Sequence, residues 1–192
     1  MKRPAVFIDR DGTINEQMGY INHVSRFVFL PGTTEAIRLL NAHHYLAIVV
    51  SNQSGVARGY FPIELVHEVH ESMQRSLEQK GAFIDAVFFC PHLPKGDVEE
   101  YSVACGCRKP LTGMIDQACE SFDIDMENSY VIGDRHTDIE LARRAGLKGI
   151  LVRTGYGRGE EKYILSEKPF KPVHITDDLL GAVRWIIERD NV

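Results

Sequence analysis

The chain has 192 residues, of which 44% are hydrophobic and 26% charged, as in an ordinary globular protein with room for one domain. The net charge of −5, without a basic tail or stripe, argues against a nucleic-acid-binding protein. The apolar run that follows Pro4 is too short for a signal peptide, and no run is long enough to span a membrane, so we expect a cytoplasmic protein with no membrane partner.

Apolar runs and helical patterns alternate along the chain. The predicted strands cover residues 5–8, 46–50, 84–89, 130–132 and 149–152. The predicted helices begin at Thr33 and then cover about 65–80, 111–122, 136–145 and 178–188, with Leu111 among the residues expected to pack inward. This order predicts a doubly wound, mainly parallel α/β sheet of five to six strands, with helices on both faces, in a single domain over 1–192.

Polar side chains gather where these strands end. Asp9 and Asp11 follow the first strand, Ser51 follows the second, Lys109 comes after the third, and Asp134 follows the fourth. Taken alone, the Asp-x-Asp-Gly pattern fits a polar turn as well as it fits a site. Because the carboxyl ends of parallel strands meet at one edge of a sheet, we expect all of these side chains to lie close together.

The residue types at this edge indicate phosphoryl transfer. Carboxylates crowded together repel one another and need a cation, and an all-oxygen site with room for a phosphate suits Mg²⁺. A hydroxyl, a lysine and a helix N-terminus are suited to hold phosphoryl oxygens. A carboxylate can also act as a nucleophile, which would divide the hydrolysis into two steps through an aspartyl-phosphate.

Four motifs, in this order, resemble the signature of the haloacid dehalogenase (HAD) superfamily phosphatases. They are Asp9-Arg10-Asp11-Gly12-Thr13, Ser51, Lys109, and Gly133-Asp134 with Asp138. The resemblance implies a Rossmann-like HAD sheet. No long insertion follows the first or third strand, so we expect no separate cap domain. Residues 15–30 and the cysteine-rich loop would then shield the intermediate from water.

The resemblance also implies a role for each matching residue. Asp9 would be the nucleophile and Asp11 the general acid/base. Ser51 and Lys109 would stabilise the transferring phosphoryl group. Mg²⁺ would be held by Asp9, the backbone carbonyl of Asp11, and Asp134. Asp138 would support the site from behind the metal ligands, or would be a solvated acid on a helix face.

Three of the four cysteines lie in one segment, together with a histidine. Cys90 and His92 form one pair, and Cys105 and Cys107 form another, which matches a closed four-ligand structural Zn²⁺ site and predicts a zinc-tied loop. A disulfide and unrelated cysteines are the alternatives. Cys119, on a predicted helix, is expected to pack beside the core. We also expect the zinc to orient the cations that directly follow Cys107.

The cysteine segment narrows the resemblance to the D-glycero-D-manno-heptose 1,7-bisphosphate 7-phosphatases and the related histidinol-phosphate phosphatases. The long insert over 93–104 is more similar to the heptose enzymes, which act in nucleotide-activated heptose synthesis for lipopolysaccharide or surface glycans. This resemblance implies a small phosphorylated sugar as substrate and Arg108 as a contact to its distal phosphate. It further implies a sugar site lined by Gln17, Met18, Gly19, Tyr20, Asn52, Gln53 and Ser54, although plain loop roles fit Gln17 and Met18 equally well.

Other candidates and other functions stay open at this point. Arg58 is long enough to reach a phosphate but fits a solvated surface position equally well, and His136 is a weaker candidate for a site hydrogen bond. His67 and His70, three residues apart on a helix, are predicted to be surface residues. The competing functions are a histidinol-phosphate phosphatase, a non-catalytic zinc-binding interaction module and a receiver-type phosphoacceptor. We expect a monomer, and both substrate anomers remain possible.

Overall fold

Six parallel strands form the sheet that carries the polar residues. The computed structural model describes residues 2–190, so residues 1, 191 and 192 of the predicted single domain lie outside the described residues. The strands are β1 (Arg3–Ile8), β2 (Leu46–Asn52), β3 (Ala86–Cys90), β4 (Ile124–Gly133), β5 (Lys148–Val152) and β6 (His174–Thr176). Their order is β3-β2-β1-β4-β5-β6, and each neighbouring pair is parallel. The predicted sheet of five to six strands is thus confirmed, with β1 at its centre.

Two strands differ from the prediction. β4 begins at Ile124, well before the predicted start at 130, because its first residues also pair with β1 before a register shift after Pro4. The first half of β4 contains acidic and amide residues, so it does not form the apolar run by which the other strands are predicted. β6 is absent from the prediction, since it has three residues, all half-buried, at the edge beside β5.

Helices cover both faces of the sheet, as predicted. They are α1 (Thr33–Ala42), α2 (Ile63–Glu78), α3 (Gly113–Ser121), α4 (His136–Arg144), α5 (Gly157–Gly159) and α6 (Leu179–Asp190). Alternation along β1 directs Val6 and Ile8 to a core shared with α1, α2 and α6, while Ala5 and Phe7 pack toward α3 and α4. Both faces of β1 are therefore buried, which explains its continuous apolar sequence.

The remaining segments are short helical turns and loops. Turns of 3₁₀-helix cover Val24–Arg26, Glu99–Tyr101 and Leu165–Glu167, and a π-helical turn covers Glu160–Ile164, a segment for which the sequence predicts no element. The described residues form one sheet without an inserted cap domain. Between residues 2 and 190, no helix has both the length and the apolar character needed to cross a membrane.

Two predictions about α3 are wrong. The helix begins at Gly113 rather than at 111, which leaves Leu111 outside it and 41% exposed. Cys119 is exposed rather than packed beside the core, with its Sγ 3.6 Å from the sulfur of Met126. The buried side of α3 is formed by Met114, Ile115 and Ala118 instead.

Candidate active site

The carboxyl ends of β1, β2 and β4 open into a cleft of about 270 Å³. Because β1 lies between β2 and β4, the residues after all three strands converge there. The cleft is lined by Asp9, Asp11, Gln17, Gly19, Tyr20, Ser51, Asn52, Ser54, Arg108, Lys109, Arg135, Thr137, Asp138 and Tyr156. The sequence motifs that are separated by more than 100 positions thus meet in one concave, polar site.

Lys109 joins two carboxylates at the base of the cleft. Its Nζ lies 2.6 Å from Oδ1 of Asp9 and 2.7 Å from Oδ1 of Asp138, and it also donates to the carbonyl of Val50 at 3.0 Å. Burial alone would lower the pKa of Lys109, but the Asp138 and Asp9 carboxylates raise it well above its ordinary value. The lysine is therefore a permanent buried cation beside Asp9.

The backbone of Lys109 is also held in place. Asn52, at the end of β2, accepts from the Lys109 backbone N–H at 3.0 Å and donates to its carbonyl at 3.2 Å. This pair of bonds attaches the segment after β3 to the end of β2. It places the cation beside the carboxylate that follows β1, although the two residues are 100 positions apart.

Asp134 is buried at the end of β4 and has an oxygen with no partner. Its Oδ2 accepts from the Tyr156 backbone N–H at 2.8 Å, whereas Oδ1 has no hydrogen-bond partner among the described residues. Gly12, at a φ of 94°, lies against this carboxylate, and a Cβ there would collide with it. Burial, reinforced by Asp9 and Asp138, raises the pKa of Asp134 to about 8.

These carboxylates fit a bound divalent cation. Carboxylate oxygens of Asp9, Asp134 and Asp138 lie within 4.8 Å of one another. Burial raises the pKa of Asp9 to about 6, with Lys109 opposing and Asp138 adding to the shift. An unpartnered buried oxygen beside a second carboxylate is the donor set that Mg²⁺ prefers. The two oxygens of Asp138 instead accept hydrogen bonds from Lys109 and from the Arg135 backbone N–H, which favours a role in holding Lys109 rather than the metal.

Asp11 is surrounded by hydrogen-bond donors. Arg10 contacts both of its oxygens, at 3.0 and 2.8 Å from the same terminal nitrogen, while Asn15 donates to Oδ1 at 3.0 Å and Gln53 to Oδ2 at 2.8 Å. Burial would raise the pKa of Asp11, but these donors, with Arg10 the strongest, hold it below its ordinary value. Without substrate, the carboxylate of Asp11 is therefore an anion, held in one orientation by these donors.

Sequence reasoning missed Arg10 and misplaced His70. Arg10 is 2% exposed, and its Nη1 lies 2.9 Å from Nε2 of His70 on α2. The prediction that His70 is a surface residue is wrong, since it is buried, whereas His67 is exposed as predicted. A signal was available: His70 follows the buried Val69 and lies three residues before the buried Met73, so it falls on the edge of the buried face.

The four predicted zinc ligands converge near the cleft. The Sγ atoms of Cys90 and Cys107 lie 3.4 and 3.3 Å from that of Cys105, and Nδ1 of His92 lies 3.4 Å from Cys107 and 3.7 Å from Cys90. Ligands about 2.3 Å from a tetrahedral zinc lie about 3.8 Å apart, so the cluster fits that ion. The cysteines are free, which argues against the disulfide alternative.

The predicted substrate-binding residues fall into two groups. Arg108, Asn52, Ser54, Gln17, Gly19 and Tyr20 line the cleft. Gln53 and Met18 do not, and Gln53 is buried with its amide nitrogen 2.8 Å from both Ser51 Oγ and Asp11 Oδ2. Arg58 and His136 also lie outside the cleft lining. Arg135 and Tyr156, which the sequence did not single out, line it, with the guanidinium 4.1 Å from the ring centroid.

Known protein sequences resemble this chain over nearly its full length. The HAD-hydrolase-like family model matches residues 106–182. A D-glycero-D-manno-heptose-1,7-bisphosphate 7-phosphatase from Thermosynechococcus vestitus is 43% identical, covering 97% of this chain and 96% of the relative. A D-glycero-beta-D-manno-heptose-1,7-bisphosphate 7-phosphatase from Haemophilus ducreyi is 42% identical, covering 97% of this chain and all of the relative.

A solved structure agrees with these relatives. The D,D-heptose 1,7-bisphosphate phosphatase of B. bronchiseptica, in complex with magnesium and phosphate, superposes with a TM-score of 0.84 at 31% identity. The match covers 98% of this chain and 99% of that protein. The similarity therefore includes the sheet, the cleft edge and the cysteine-rich segment together.

Proposed function

Because the chain belongs to the D-glycero-D-manno-heptose-1,7-bisphosphate 7-phosphatase family of HAD-like hydrolases, we propose that it hydrolyses the C7 phosphate of this sugar in a Mg²⁺-dependent reaction. The product would feed nucleotide-activated heptose synthesis for lipopolysaccharide or surface glycans. The observation that carries the proposal is the contact of Asp9 with Lys109 in the cleft that Asp11 and Ser51 also line.

Asp9 is the nucleophile in this scheme. An oxygen of its carboxylate attacks phosphorus as the bond to the C7 oxygen breaks, which leaves an aspartyl-phosphate. Asp11, an anion in the free enzyme, takes up a proton as the negatively charged phosphate approaches and gives this proton to the leaving C7 oxygen. It then takes a proton from the water that attacks the phosphorus, which releases inorganic phosphate and restores Asp9.

The phosphoryl group is held by Ser51 and Lys109. Gln53 donates to Ser51 Oγ at 2.8 Å, so the hydroxyl proton of Ser51 is directed elsewhere and is available to a phosphoryl oxygen. Lys109, which lines the same cleft and contacts Asp9, adds a positive charge. Their combined effect is to stabilise charge that develops on the transferring group.

Asp9, the Asp11 carbonyl and Asp134 are suited to hold Mg²⁺. Asp134 provides the unpartnered buried oxygen. Within residues 2–190, the Asp11 carbonyl accepts one hydrogen bond, from Gln17 at 3.2 Å, which leaves one lone pair for a metal. When bound, Mg²⁺ supplies charge neutralisation between the anionic phosphoryl oxygens and the carboxylates. By fixing the position of the ion, the carboxylates would also fix the position of the phosphoryl group relative to Asp9.

We assign Zn²⁺ to Cys90, His92, Cys105 and Cys107 as a structural ion. The next residue after Cys107 is Arg108, whose Nη1 donates to the carbonyl of His92 at 3.2 Å, so a ligand loop directly positions a cleft cation. Arg108 is suited to bind the distal phosphate, since a guanidinium binds phosphate in a defined orientation. The zinc loop would therefore act on substrate recognition through Arg108.

The test is a substrate comparison. The metal-loaded enzyme is incubated with both anomers of the heptose bisphosphate and with histidinol phosphate, and released phosphate is measured. We expect far higher kcat/KM on the heptose, with the β-anomer preferred because several relatives are named for it. A higher kcat/KM on histidinol phosphate would refute the assignment. Zinc binding without phosphate release from any of the three substrates would instead favour the non-catalytic zinc module, and Asp9→Asn with full activity would refute Asp9 as the nucleophile.

The wider context of the enzyme remains a prediction. We propose that residues 1–192 act as one catalytic domain, in the cytoplasm, as a monomer. The charged and polar lining of the cleft supports a small phosphorylated sugar as the partner of this site. Sedimentation at micromolar concentration would test the oligomeric state.

A further inference from the structure

The guanidinium of Arg10 contacts both carboxylate oxygens of the proposed acid/base, Asp11. Arg10 is 2% exposed although it carries a full charge, so its hydrogen bonds must replace water. Its Nε and Nη2 donate to the carboxylate oxygens of Asp11, and its Nη1 donates to His70. One buried cation thus links the end of β1 to the middle of α2.

The contact with His70 determines the state of that ring. A guanidinium has only donors, so Nε2 of His70 must accept the 2.9 Å bond, and the ring is neutral with its proton on Nδ1. Burial, assisted by the Arg10 charge, lowers the pKa of His70 to about 3, in agreement with this geometry. The ring also packs edge-on against Phe89, at 5.3 Å between centroids.

His70 therefore holds Arg10 from the side opposite Asp11. Without His70, one terminal nitrogen of the buried Arg10 would have no acceptor. The guanidinium would then shift toward another acceptor, and its hydrogen bonds to the Asp11 carboxylate would be lost. Asn15 and Gln53 each donate a single bond to Asp11, whereas Arg10 reaches both oxygens. Arg10 is thus the contact that sets the plane of the carboxylate.

We propose that Arg10 and His70 are positioning residues for Asp11, with His70 acting through Arg10. The proposal rests on the proposed function, in which Asp11 protonates the leaving oxygen and then activates water. Neither residue contacts the reacting atoms. Their effect is confined to the two steps in which Asp11 transfers a proton.

Substrates with different leaving groups distinguish a positioning role of Arg10 and His70 from a merely structural one. A primary alkoxide, as at C7 of the heptose, needs a proton to leave, whereas p-nitrophenolate leaves without one. The ratio kcat/KM reports formation of the phosphoenzyme for both substrates. A misplaced Asp11 therefore lowers kcat/KM for the heptose bisphosphate and spares that for p-nitrophenyl phosphate, while its loss as a base slows later turnover of both.

The experiment uses three variants on α2. His70→Leu removes the acceptor, His70→Gln keeps an acceptor oxygen near the Nε2 position, and His67→Leu is the matched control. His67 is exposed on the same helix and packs on the same Phe89 ring, at 5.2 Å, without reaching Arg10. Arg10→Lys, which keeps the charge but loses the fork, serves as a fourth variant should His70→Leu fail to fold.

We expect His70→Leu to lower kcat/KM on the heptose bisphosphate by about tenfold or more and that on p-nitrophenyl phosphate by less than about threefold. His70→Gln should restore most of the loss, and His67→Leu should match the wild type. Equal losses on both substrates, or no loss on either, would overturn the proposal, and the same criteria apply to Arg10→Lys. Asp11→Asn distinguishes failure of this proposal from failure of the proposed function. If Asp11→Asn lowers kcat/KM equally on both substrates, the assignment of Asp11 as the acid/base is wrong.

Discussion

Replacing Lys109 by methionine tests the electrostatics of the site most directly. The Lys109 side chain is 4% exposed, and its three protons have three acceptors, on Asp9, Asp138 and Val50. Methionine keeps the apolar length and removes the charge. Asp9 and Asp138 would then remain as buried carboxylates without their shared cation.

The expected cost follows from that geometry. Removing one partner of a buried ion pair costs about 3–5 kcal/mol, because the remaining charge is left uncompensated. Lys109→Met should therefore lower the free energy of unfolding by about this amount in Mg²⁺-free buffer at pH 7.5, and should abolish phosphatase activity. Adding Asp138→Asn should recover about 1–3 kcal/mol of the loss, since one of the stranded charges is gone, while activity stays absent.

Urea unfolding, followed by circular dichroism, measures both quantities. Lys162→Met, at an exposed position, is the control and should stay within about 0.5 kcal/mol of the wild type. The penalty for Lys109→Met should shrink at pH 5.5, because Asp9, with a pKa already raised to about 6 by burial, takes up a proton there. An unfolding free energy for Lys109→Met equal to that of the control would refute the argument that Lys109 compensates these carboxylates.

Three further predictions concern the metals and the distal phosphate. Burial raises the pKa of Asp134 from 3.8 to about 8 and that of Asp9 from 3.8 to about 6, so the metal-free fold retains protons that the unfolded chain has already lost. Its stability therefore falls as the pH rises from about 4 to about 8, and Asp134 is responsible for the loss above pH 6. Mg²⁺ should therefore raise Tm more at pH 8 than at pH 6 in a thermal melt, and equal shifts would contradict this. Cys107→Ser should lose zinc by elemental analysis and lower kcat/KM, whereas Cys119→Ser should change neither; unaltered kinetics after proven zinc loss would contradict the positioning role. Arg108→Gln should raise KM for the bisphosphate by about tenfold to a hundredfold and should affect a sugar monophosphate less.

The sequence predicts the outline of the cleft because strand order and motif order are linked. Apolar runs identify the central strands, and the rule for parallel sheets places the residues after them at one edge. The sequence therefore predicts that Asp9, Ser51, Lys109 and Asp134 lie at one edge of the sheet. The structure brings Asp9 and Lys109 into contact, and Asp134 into the same carboxylate cluster as Asp9.

The remaining features depend on partners that no local pattern contains. β6 has three half-buried residues and exists because β5 offers it an edge. Arg10 stands between two acids in a motif that gives no sign of its burial. Its burial follows from the approach of α2, which carries His70 from 60 positions away. Leu111 is apolar but lies before α3 begins, so a helical pattern extended by two residues assigns it wrongly to the core.

The buried charges explain why the site calls for a divalent ion. The described groups around the cleft base are the anions Asp9, Asp11, Asp134 and Asp138 and the cations Arg10 and Lys109. Each cation is already paired, so two negative charges remain uncompensated when all four carboxylates are ionised. One Mg²⁺ balances them, whereas a single further lysine would not. We propose that the incoming phosphate then meets a neutral cleft base and is attracted by Arg108 and Arg135, which line the cleft. Recognition and chemistry would then depend on different cations.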